Sequence, residues 1–206
     1  MSDIVTVPDP VLRQVAKSVT RVDKRLLDII SQMTAALLSA TDPEGIGLAA
    51  PQIGIPLRIF LARPDMKKPP RLFINPEILN YSQRQQTPDT KRGVYEGCLS
   101  IPHHYSPLKR SMSVTVRYQT LNPKTTPPLQ SERAQPDTGN DQAASTRDWN
   151  GESQLITKTE TFTGLLAHIV QHETDHLNGI LFIDHVLEQN SKLFLIKGKI
   201  FEEISI

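Results

Sequence analysis

The sequence predicts an α+β fold in which mixed or antiparallel strands pack around one central helix. Two amphipathic helical segments are separated by short stretches of alternating apolar and polar residues, which are typical of half-buried strands. The chain has 206 residues, 38% of them hydrophobic, which is enough for one cored domain. We therefore expect a single domain over residues 1–206, with a flexible insertion at 122–151.

Composition excludes several classes of protein. The net charge of +1 gives no broad basic field, so we expect no direct nucleic-acid substrate. No apolar run approaches the roughly 18 residues of a membrane span, and the beginning of the sequence has no signal-peptide pattern, which predicts a cytoplasmic chain without membrane contact. Cys98 is the only cysteine, so no intrachain disulfide can form.

The first third of the chain predicts two helices and a tight turn. Residues 8–18 predict a turn and short helix, with Pro10 tolerated at the first helical position. Residues 24–40 predict a helix, because apolar side chains recur at steps of three and four: Leu26, Leu27, Ile30, Met33, Leu37 and Leu38. Residues 45–54 (GIGLAAPQIG) predict a tight turn before a strand, on which the Gln52 amide could donate to a developing oxyanion.

Four further segments are predicted as strands, and polar loops separate them. The strands are expected at residues 57–62, 71–75, 113–120 and 154–160. We expect the second strand to end at Asn75, where the Asn75-Pro76 pair begins. The insertion between the last two strands is rich in proline and polar residues and has too little apolar surface to offset its ordering entropy. A partner-docking loop that uses Trp149 is the alternative. The C-terminal residues 192–206 predict a helix or a strand.

The central helix is predicted over residues 164–179 (GLLAHIVQHETDHLNG), with Thr163 as N-cap and Asn178 and Gly179 as the stop. It contains the HExxH pattern. His172 and His176 lie about 40° and 6 Å apart on one helix face, so their imidazoles can converge on one ion. Glu173 projects beside that face, where a general base for an activated water belongs.

A metal site needs a third protein ligand, because HExxH alone also fits an ordinary solvated helix. The best candidate is Cys98, in the segment VYEGCLSIP. It follows a glycine at a strand edge and is flanked by a carboxylate, so little bulk shields its sulfur. Cysteine and two histidines would leave one coordination position open, as a catalytic zinc-type site requires. The alternative is that Cys98 is a small buried hydrophobic residue.

Three motifs in one order resemble those of peptide deformylases. GIGLAAPQIG (45–54) is similar to the family's GxGxAAxQ segment, EGCLS (96–100) matches its second motif, and QHETDH (171–176) matches its QHExDH helix. The likeness runs from PDPVLR near the beginning of the sequence to GILFIDHV near residue 186 and leaves out the insertion. The resemblance implies a peptide-deformylase-like fold.

The resemblance also implies an activity and its residues. Cys98, His172 and His176 would bind one divalent metal, with Fe²⁺ favoured and zinc, nickel or cobalt as substitutes. Glu173 would act as general base and acid, while Gln52 and the backbone N–H of Leu99 would form the oxyanion hole. The implied reaction removes the formyl group from the N-terminal formylmethionine of newly made proteins and releases formate. Contact of the C-terminal tail with the ribosome stays open.

A pocket beside the metal is expected to hold the methionine side chain of an N-formylmethionyl peptide. We assign these residues to it: Ile46, Gly47, Val94, Gly97, Leu165, His168 and Ile169. His168 lies about 12 Å along the helix axis from His176, too far for both to bind one ion, so we expect it in the pocket wall.

Two rival functions remain at this point. An HExxH metallopeptidase would take a downstream ligand, for which Glu188 is the nearest candidate, but this leaves Gln52 and Cys98 unexplained. A non-catalytic formyl-peptide-binding relative would be expected to have lost a ligand or the base. Asp175 and Arg110 are predicted as a supporting ion pair behind the site, the alternative being plain surface charge.

Overall fold

The computed structural model describes residues 4–86, 95–125, 154–197 and 200–204. Its α-helices in these ranges are α1 (Lys24–Ser39), α2 (Gly164–Leu177) and α3 (Phe182–Glu188). The first two match the predicted helices. The short helix expected within residues 8–18 is a 3-10 turn (Pro10–Arg13), which begins at Pro10 and is capped by the Asp9 carboxylate.

The strands form antiparallel sheets, which confirms the predicted α+β class. In chain order they are β1 (Gly47–Ala49), β2 (Ile59–Ala62), β3 (Arg71–Tyr81), β4 (Gln85–Gln86), β5 (Glu96–Cys98), β6 (Ile101–Ser106), β7 (Arg110–Ser111), β8 (Ser113–Leu121), β9 (Leu155–Thr163), β10 (Leu193–Lys197) and β11 (Ile200–Ile204). One sheet has five strands in the order β1-β2-β3-β8-β9, a second has four in the order β11-β10-β6-β5, and β4 pairs with β7.

Strand β3 corrects one prediction. The strand was expected to end at Asn75, before Pro76, but it continues to Tyr81. Asn75 adopts a positive φ of 48°, and the pairing with β8 shifts register between Ile74 and Glu77. Pro76 has no N–H to give to a ladder, and a bulge of this kind lets the strand pass it and continue.

The four-stranded sheet places Cys98 at an edge. Cys98 is the last residue of β5, which pairs on one side with β6 and forms one border of that sheet. The C-terminal residues, for which a helix or a strand was expected, form the antiparallel strands β10 and β11 at the opposite border.

Helix α2 lies against the five-stranded sheet, with contacts to β1, β2, β8 and β9. Its buried Ala167, Val170 and Leu177 belong to the same core cluster as the stacked rings of Phe60 and Phe73. Full burial of each large apolar side chain contributes about 1.5–3 kcal/mol. The helix that carries the HExxH residues is therefore fixed by packing along its length.

Both ends of α2 fall where they were expected. Thr163 precedes the helix, although its side chain makes no capping hydrogen bond. Asn178 follows the last helical residue, and Gly179 has a φ of 72°. A Cβ at Gly179 would lie 2.5 Å from the carbonyl oxygen of Arg13, so both the backbone conformation and the available space require glycine there.

Helix α1 buries most of its predicted apolar stripe. Leu26, Ile30, Met33 and Leu37 are buried and pack under β1 and β2. Leu38 is 40% exposed, so its place in the stripe was wrong.

The predicted insertion at 122–151 lies outside the described residues from position 126 onward, and so does Trp149. The strands on either side pair along their whole length, from Ser113 opposite Thr163 to Leu121 opposite Leu155. The intervening residues therefore leave and re-enter the sheet at adjacent points. Of the helices that the structure describes, none combines the length and apolar character needed to cross a membrane.

Candidate active site

The structure brings Cys98, His172 and His176 together. The potential ligand atoms of these residues lie within 4.8 Å of one another, and the Cys98 sulfur is 3.2 Å from Nε2 of His176. All three side chains are buried. Helix α2 carries the two histidines one turn apart and packs on the five-stranded sheet. Cys98 reaches them from the end of β5, which belongs to the four-stranded sheet. A thiolate and two imidazoles are a donor set that suits zinc, cobalt, nickel or iron.

The two imidazoles have different surroundings. Burial, together with the neighbouring His172, holds the pKa of His176 well below its usual range, so the ring is neutral at pH 7 and its lone pair is available. Although burial opposes it, contacts with Cys98 and Glu96 raise the pKa of His172 well above its usual range. Nδ1 of His172 is 2.7 Å from Oε1 of Glu96, so Nε2 is the ring nitrogen left to bind a metal, and binding there requires loss of the proton that the raised pKa retains.

Glu96 is the functional residue that sequence reasoning missed. Its carboxylate is buried, and Arg110 binds it through two N–H groups, at 2.6 and 2.9 Å. Burial opposes ionisation, but Arg110 and two histidines outweigh it and lower the pKa of Glu96 well below its usual range. The carboxylate is therefore charged and holds His172. Its place in the EGCLS motif, beside Cys98, was the available signal.

The predicted pair of Asp175 and Arg110 forms, with 2.6 Å between Nη1 and Oδ2. Asp175 also binds Nε2 of His185, at 2.9 Å. Arg110 thus joins two carboxylates behind the metal ligands. Glu188, the downstream ligand that a metallopeptidase would need, lies outside the cysteine and histidine cluster. Its carboxylate is largely exposed and pairs with His185 at 3.1 Å.

Glu173 lies next to the cluster with an unused oxygen. The side chain is 3% exposed, and Oε2 has no hydrogen-bond partner. Burial raises the pKa of Glu173 to about 7; the positive charge of His172 opposes this, and the charges of Glu96 and Asp175 add to it. A carboxyl group that titrates near neutrality can both accept and donate a proton at physiological pH.

Gly47 makes room for the Glu173 carboxylate. A Cβ on Gly47 would lie 2.2 Å from Oε1 of Glu173 and 2.9 Å from Cγ2 of Ile169. Real atoms do not approach so closely, so any larger residue would displace the carboxylate. The glycine-rich segment was expected to let another group approach its backbone closely, and that group is the Glu173 side chain.

Gln52 directs its amide toward Cys98. Oε1 accepts a hydrogen bond from the Ala49 N–H at 2.8 Å, which fixes which end of the amide is oxygen. Nε2 then donates to the Ser100 hydroxyl at 3.2 Å and lies 3.5 Å from the Cys98 sulfur. The 3-10 turn Ala50–Ile53, which holds Gln52, is buried, so the amide is held rigidly beside the cluster.

A cavity of about 490 Å³ opens onto this cluster. Gln52, Cys98, Leu99, His172 and Glu173 line it. The predicted pocket residues that line it are Ile46, Gly47, Gly97, Leu165, His168 and Ile169. Val94 lies outside the described residues. Sequence reasoning did not assign other wall residues to the pocket, among them Pro43, Glu44, Gln86, Tyr95 and Tyr105.

His168 has a contact that the sequence did not reveal. It lies in the cavity wall, as expected, but its Nε2 is also 2.9 Å from Oε2 of Glu96. Taken together, a buried cysteine and histidine cluster, an unpaired carboxylate and an oriented amide at the end of an open cavity are typical of a metal-dependent amide hydrolase.

Comparison with known proteins gives the family. The sequence profile described as "Polypeptide deformylase" matches residues 1–127 and 147–192. The peptide deformylase of Mesorhizobium japonicum is 38% identical over 200 residues, which cover 95% of this chain and 90% of that protein. The peptide deformylase of Pseudothermotoga lettingae is 38% identical over 194 residues, which cover 94% of this chain and 86% of that protein.

Solved structures of peptide deformylases are also similar to this chain. Peptide deformylase from Thermotoga maritima superposes with a TM-score of 0.64 at 33% identity and covers 90% of this chain and 97% of its own. The enzyme from Synechococcus elongatus in complex with actinonin superposes with a TM-score of 0.61 at 36% identity, and the match covers 91% of this chain and 81% of that one. A Met-Ala-Ser-bound class I type b peptide deformylase from Acinetobacter baumannii superposes with a TM-score of 0.62 at 28% identity. The match covers 90% of this chain and 99% of that one.

The chain belongs to the polypeptide deformylase family. Its activity is the metal-dependent hydrolytic removal of the N-formyl group from nascent peptides, and this reading prevails over a metallopeptidase or a non-catalytic binding relative. The cluster of Cys98, His172 and His176 can bind the metal.

Proposed function

We propose that Cys98, His172 and His176 hold one divalent cation, that Glu173 moves the proton, and that Gln52 and the Leu99 N–H stabilise the oxyanion. The observation that carries this assignment is the convergence of the three ligand atoms within 4.8 Å beside the unpaired Oε2 of Glu173. When bound, such a cation supplies Lewis-acid polarisation of a carbonyl oxygen and activation of a water molecule.

Glu173 carries the proton through the reaction. It accepts a proton from the attacking water and gives one to the peptide nitrogen when the bond between the formyl carbon and that nitrogen breaks. The products are formate and a peptide with a free amino terminus. The pKa of Glu173, raised to about 7 by burial, suits both halves of this transfer.

Gln52 and the Leu99 N–H stabilise the negative charge that develops on the formyl oxygen. The Gln52 amide is suited to this role because the Ala49 N–H fixes its orientation and burial excludes water from it. An oriented donor of this kind contributes about 3 kcal/mol to transition-state stabilisation.

The substrate is an N-formylmethionyl peptide whose methionine side chain lies in the cavity, against Ile46, Leu165 and Ile169. Ile169 is buried, whereas Ile46 and Leu165 are 38% and 48% exposed and form the accessible rim. The relative crystallised with Met-Ala-Ser is consistent with this substrate class, since that protein binds a peptide that begins with methionine.

Fe²⁺ is the proposed metal in the cell, with zinc, nickel or cobalt able to replace it. We expect preparation in air to lower activity, because both Fe²⁺ and the Cys98 thiolate oxidise. The measurement is formate release per bound metal after aerobic and anaerobic iron loading. Equal values for the two preparations would contradict the assignment of iron.

The proposed location is the cytoplasm, where new formylated chains are made. Transient contact with the ribosome stays a prediction, and so does the single domain over residues 1–206.

Formate release from formyl-Met-Ala-Ser tests the proposed roles. Glu173→Gln is expected to lower kcat at least about 100-fold, because the amide cannot accept the proton. Glu188→Gln is the matched control and is expected to retain activity, since Glu188 is exposed and pairs with His185. Full activity in Glu173→Gln, or loss only in Glu188→Gln, would contradict the assignment and would favour a downstream glutamate as the essential group.

A further inference from the structure

We propose that His168 is a positioning residue: by bonding Glu96, it helps to fix the orientation of the metal ligand His172. The inference rests on the proposed metal site. His168 lies one helical turn before His172 on α2, and the two imidazoles bind different oxygens of the same carboxylate. Nε2 of His168 is 2.9 Å from Oε2 of Glu96, and Nδ1 of His172 is 2.7 Å from Oε1.

The Glu96 carboxylate has a donor for every acceptor position. A carboxylate offers about four lone-pair positions. Arg110 fills one on each oxygen, Nε at 2.9 Å from Oε2 and Nη2 at 2.6 Å from Oε1, and the two histidines fill the others. Because Glu96 is buried, water cannot replace a lost donor without rearrangement.

The ionised Glu96 requires a proton on the ring nitrogen of each histidine that faces it. An ionised carboxylate only accepts hydrogen bonds, so both imidazoles donate to it. Glu96 thus holds the proton on Nδ1 of His172, which makes Nε2 the nitrogen that would bind a metal. Removing the His168 donor would leave Oε2 with one donor instead of two and loosen the carboxylate on that side, and the orientation of His172 would be held less tightly.

A pure wall residue would behave differently. His168 also lines the cavity, and its side chain is 12% exposed. If it only shaped the cavity, its replacement would change KM for the peptide and leave metal binding as it was. If it positions His172, its replacement changes the metal site itself.

The test titrates metal-free protein with Co²⁺ and records the dissociation constant and the visible absorption spectrum, which reports the geometry of the ligands. His168→Leu keeps the bulk and removes the donor; we expect roughly tenfold weaker Co²⁺ binding and a changed spectrum. His168→Gln places an amide N–H at a similar distance from Cα. It is expected to restore the affinity to within about threefold of wild type, and the spectrum with it.

Leu165→Ala is the matched control, because Leu165 lines the same cavity from the same helix but has no hydrogen-bonding group. We expect a higher KM with unchanged Co²⁺ affinity and spectrum. His168→Met, which fills irregular space easily, replaces His168→Leu if that variant does not fold.

The outcomes separate this inference from the proposed function. Wild-type Co²⁺ affinity and spectrum in His168→Leu, or no recovery in His168→Gln, would overturn the role of His168 alone. If neither apolar variant folds, His168 is a structural residue and the inference is overturned. If the wild-type chain binds no Co²⁺, the proposed metal site fails and this inference fails with it.

Discussion

Gly47 holds the Glu173 carboxylate in place by having no side chain. The position that a Cβ would take lies 2.2 Å from Oε1 of Glu173. The neighbouring Ile169 limits any shift in the other direction, since its Cγ2 lies 2.9 Å from the same point. A single methyl group at Gly47 must therefore move the proposed base.

Gly47→Ala is expected to lower kcat for formate release by about 100-fold, because a displacement of this size at a catalytic group costs about that much. The metal content should stay at the wild-type level, since the ligand residues are not touched. Ala49→Gly, in the same strand, is the control for a general loosening of β1. A Gly47→Ala protein with wild-type kcat would show that the Glu173 position does not matter.

At the residue scale, the sequence predicted the cluster of Cys98, His172 and His176 better than its surroundings. Motif spacing locates the two histidines, because one helical turn separates them. It does not locate Glu96 as their support. Besides His172, the partners of Glu96 are Arg110 and His168, which reach it only when β5, β7 and α2 have packed together.

Among the elements, the beginning of α1 shows how a local sequence signal becomes a measurable stability. The Asp23 carboxylate accepts a hydrogen bond from the Leu26 N–H at 2.9 Å and caps the helix. That backbone hydrogen bond is the main reason that the pKa of Asp23 is lower than usual. The charged carboxylate is thus favoured in the folded state.

Asp23→Ala should destabilise the protein by about 1 kcal/mol at pH 7. Because folding lowers the pKa of Asp23, the stabilisation is complete above the unfolded value of about 3.9 and is lost as pH falls through the folded value. Asp23→Asn caps without titrating and is the control. Denaturant unfolding at pH 7 and at progressively lower pH measures this. An Asp23→Ala deficit that does not shrink in acid relative to wild type would contradict it.

Periodicity predicted the helices and the existence of most strands, because burial on one face leaves a clear pattern. It could not predict the length of β3. Asn75 and Pro76 predict the end of the strand, yet a positive φ at Asn75 and a register shift in the pairing with β8 let the strand continue to Tyr81. That bulge depends on the partner strand β8, which no local pattern describes.

In the whole molecule, the site forms where parts of two sheets meet one helix. Cys98 and His176 are 78 positions apart in the chain, and they come together because β5 lies in one sheet while α2 packs on the other. The order of strands that produces this meeting was not predictable from alternation alone. The motifs indicated which residues meet, and the family resemblance indicated their roles.

X-ray absorption at the metal edge of protein purified without oxygen tests the ligands of the proposed metal most directly. We predict one metal per chain with one sulfur neighbour at about 2.3 Å and nitrogen neighbours at about 2.0–2.1 Å. We also predict that the sulfur signal is lost in Cys98→Ala. A metal shell without sulfur in the wild-type protein would contradict the assignment of Cys98, His172 and His176 as the ligands.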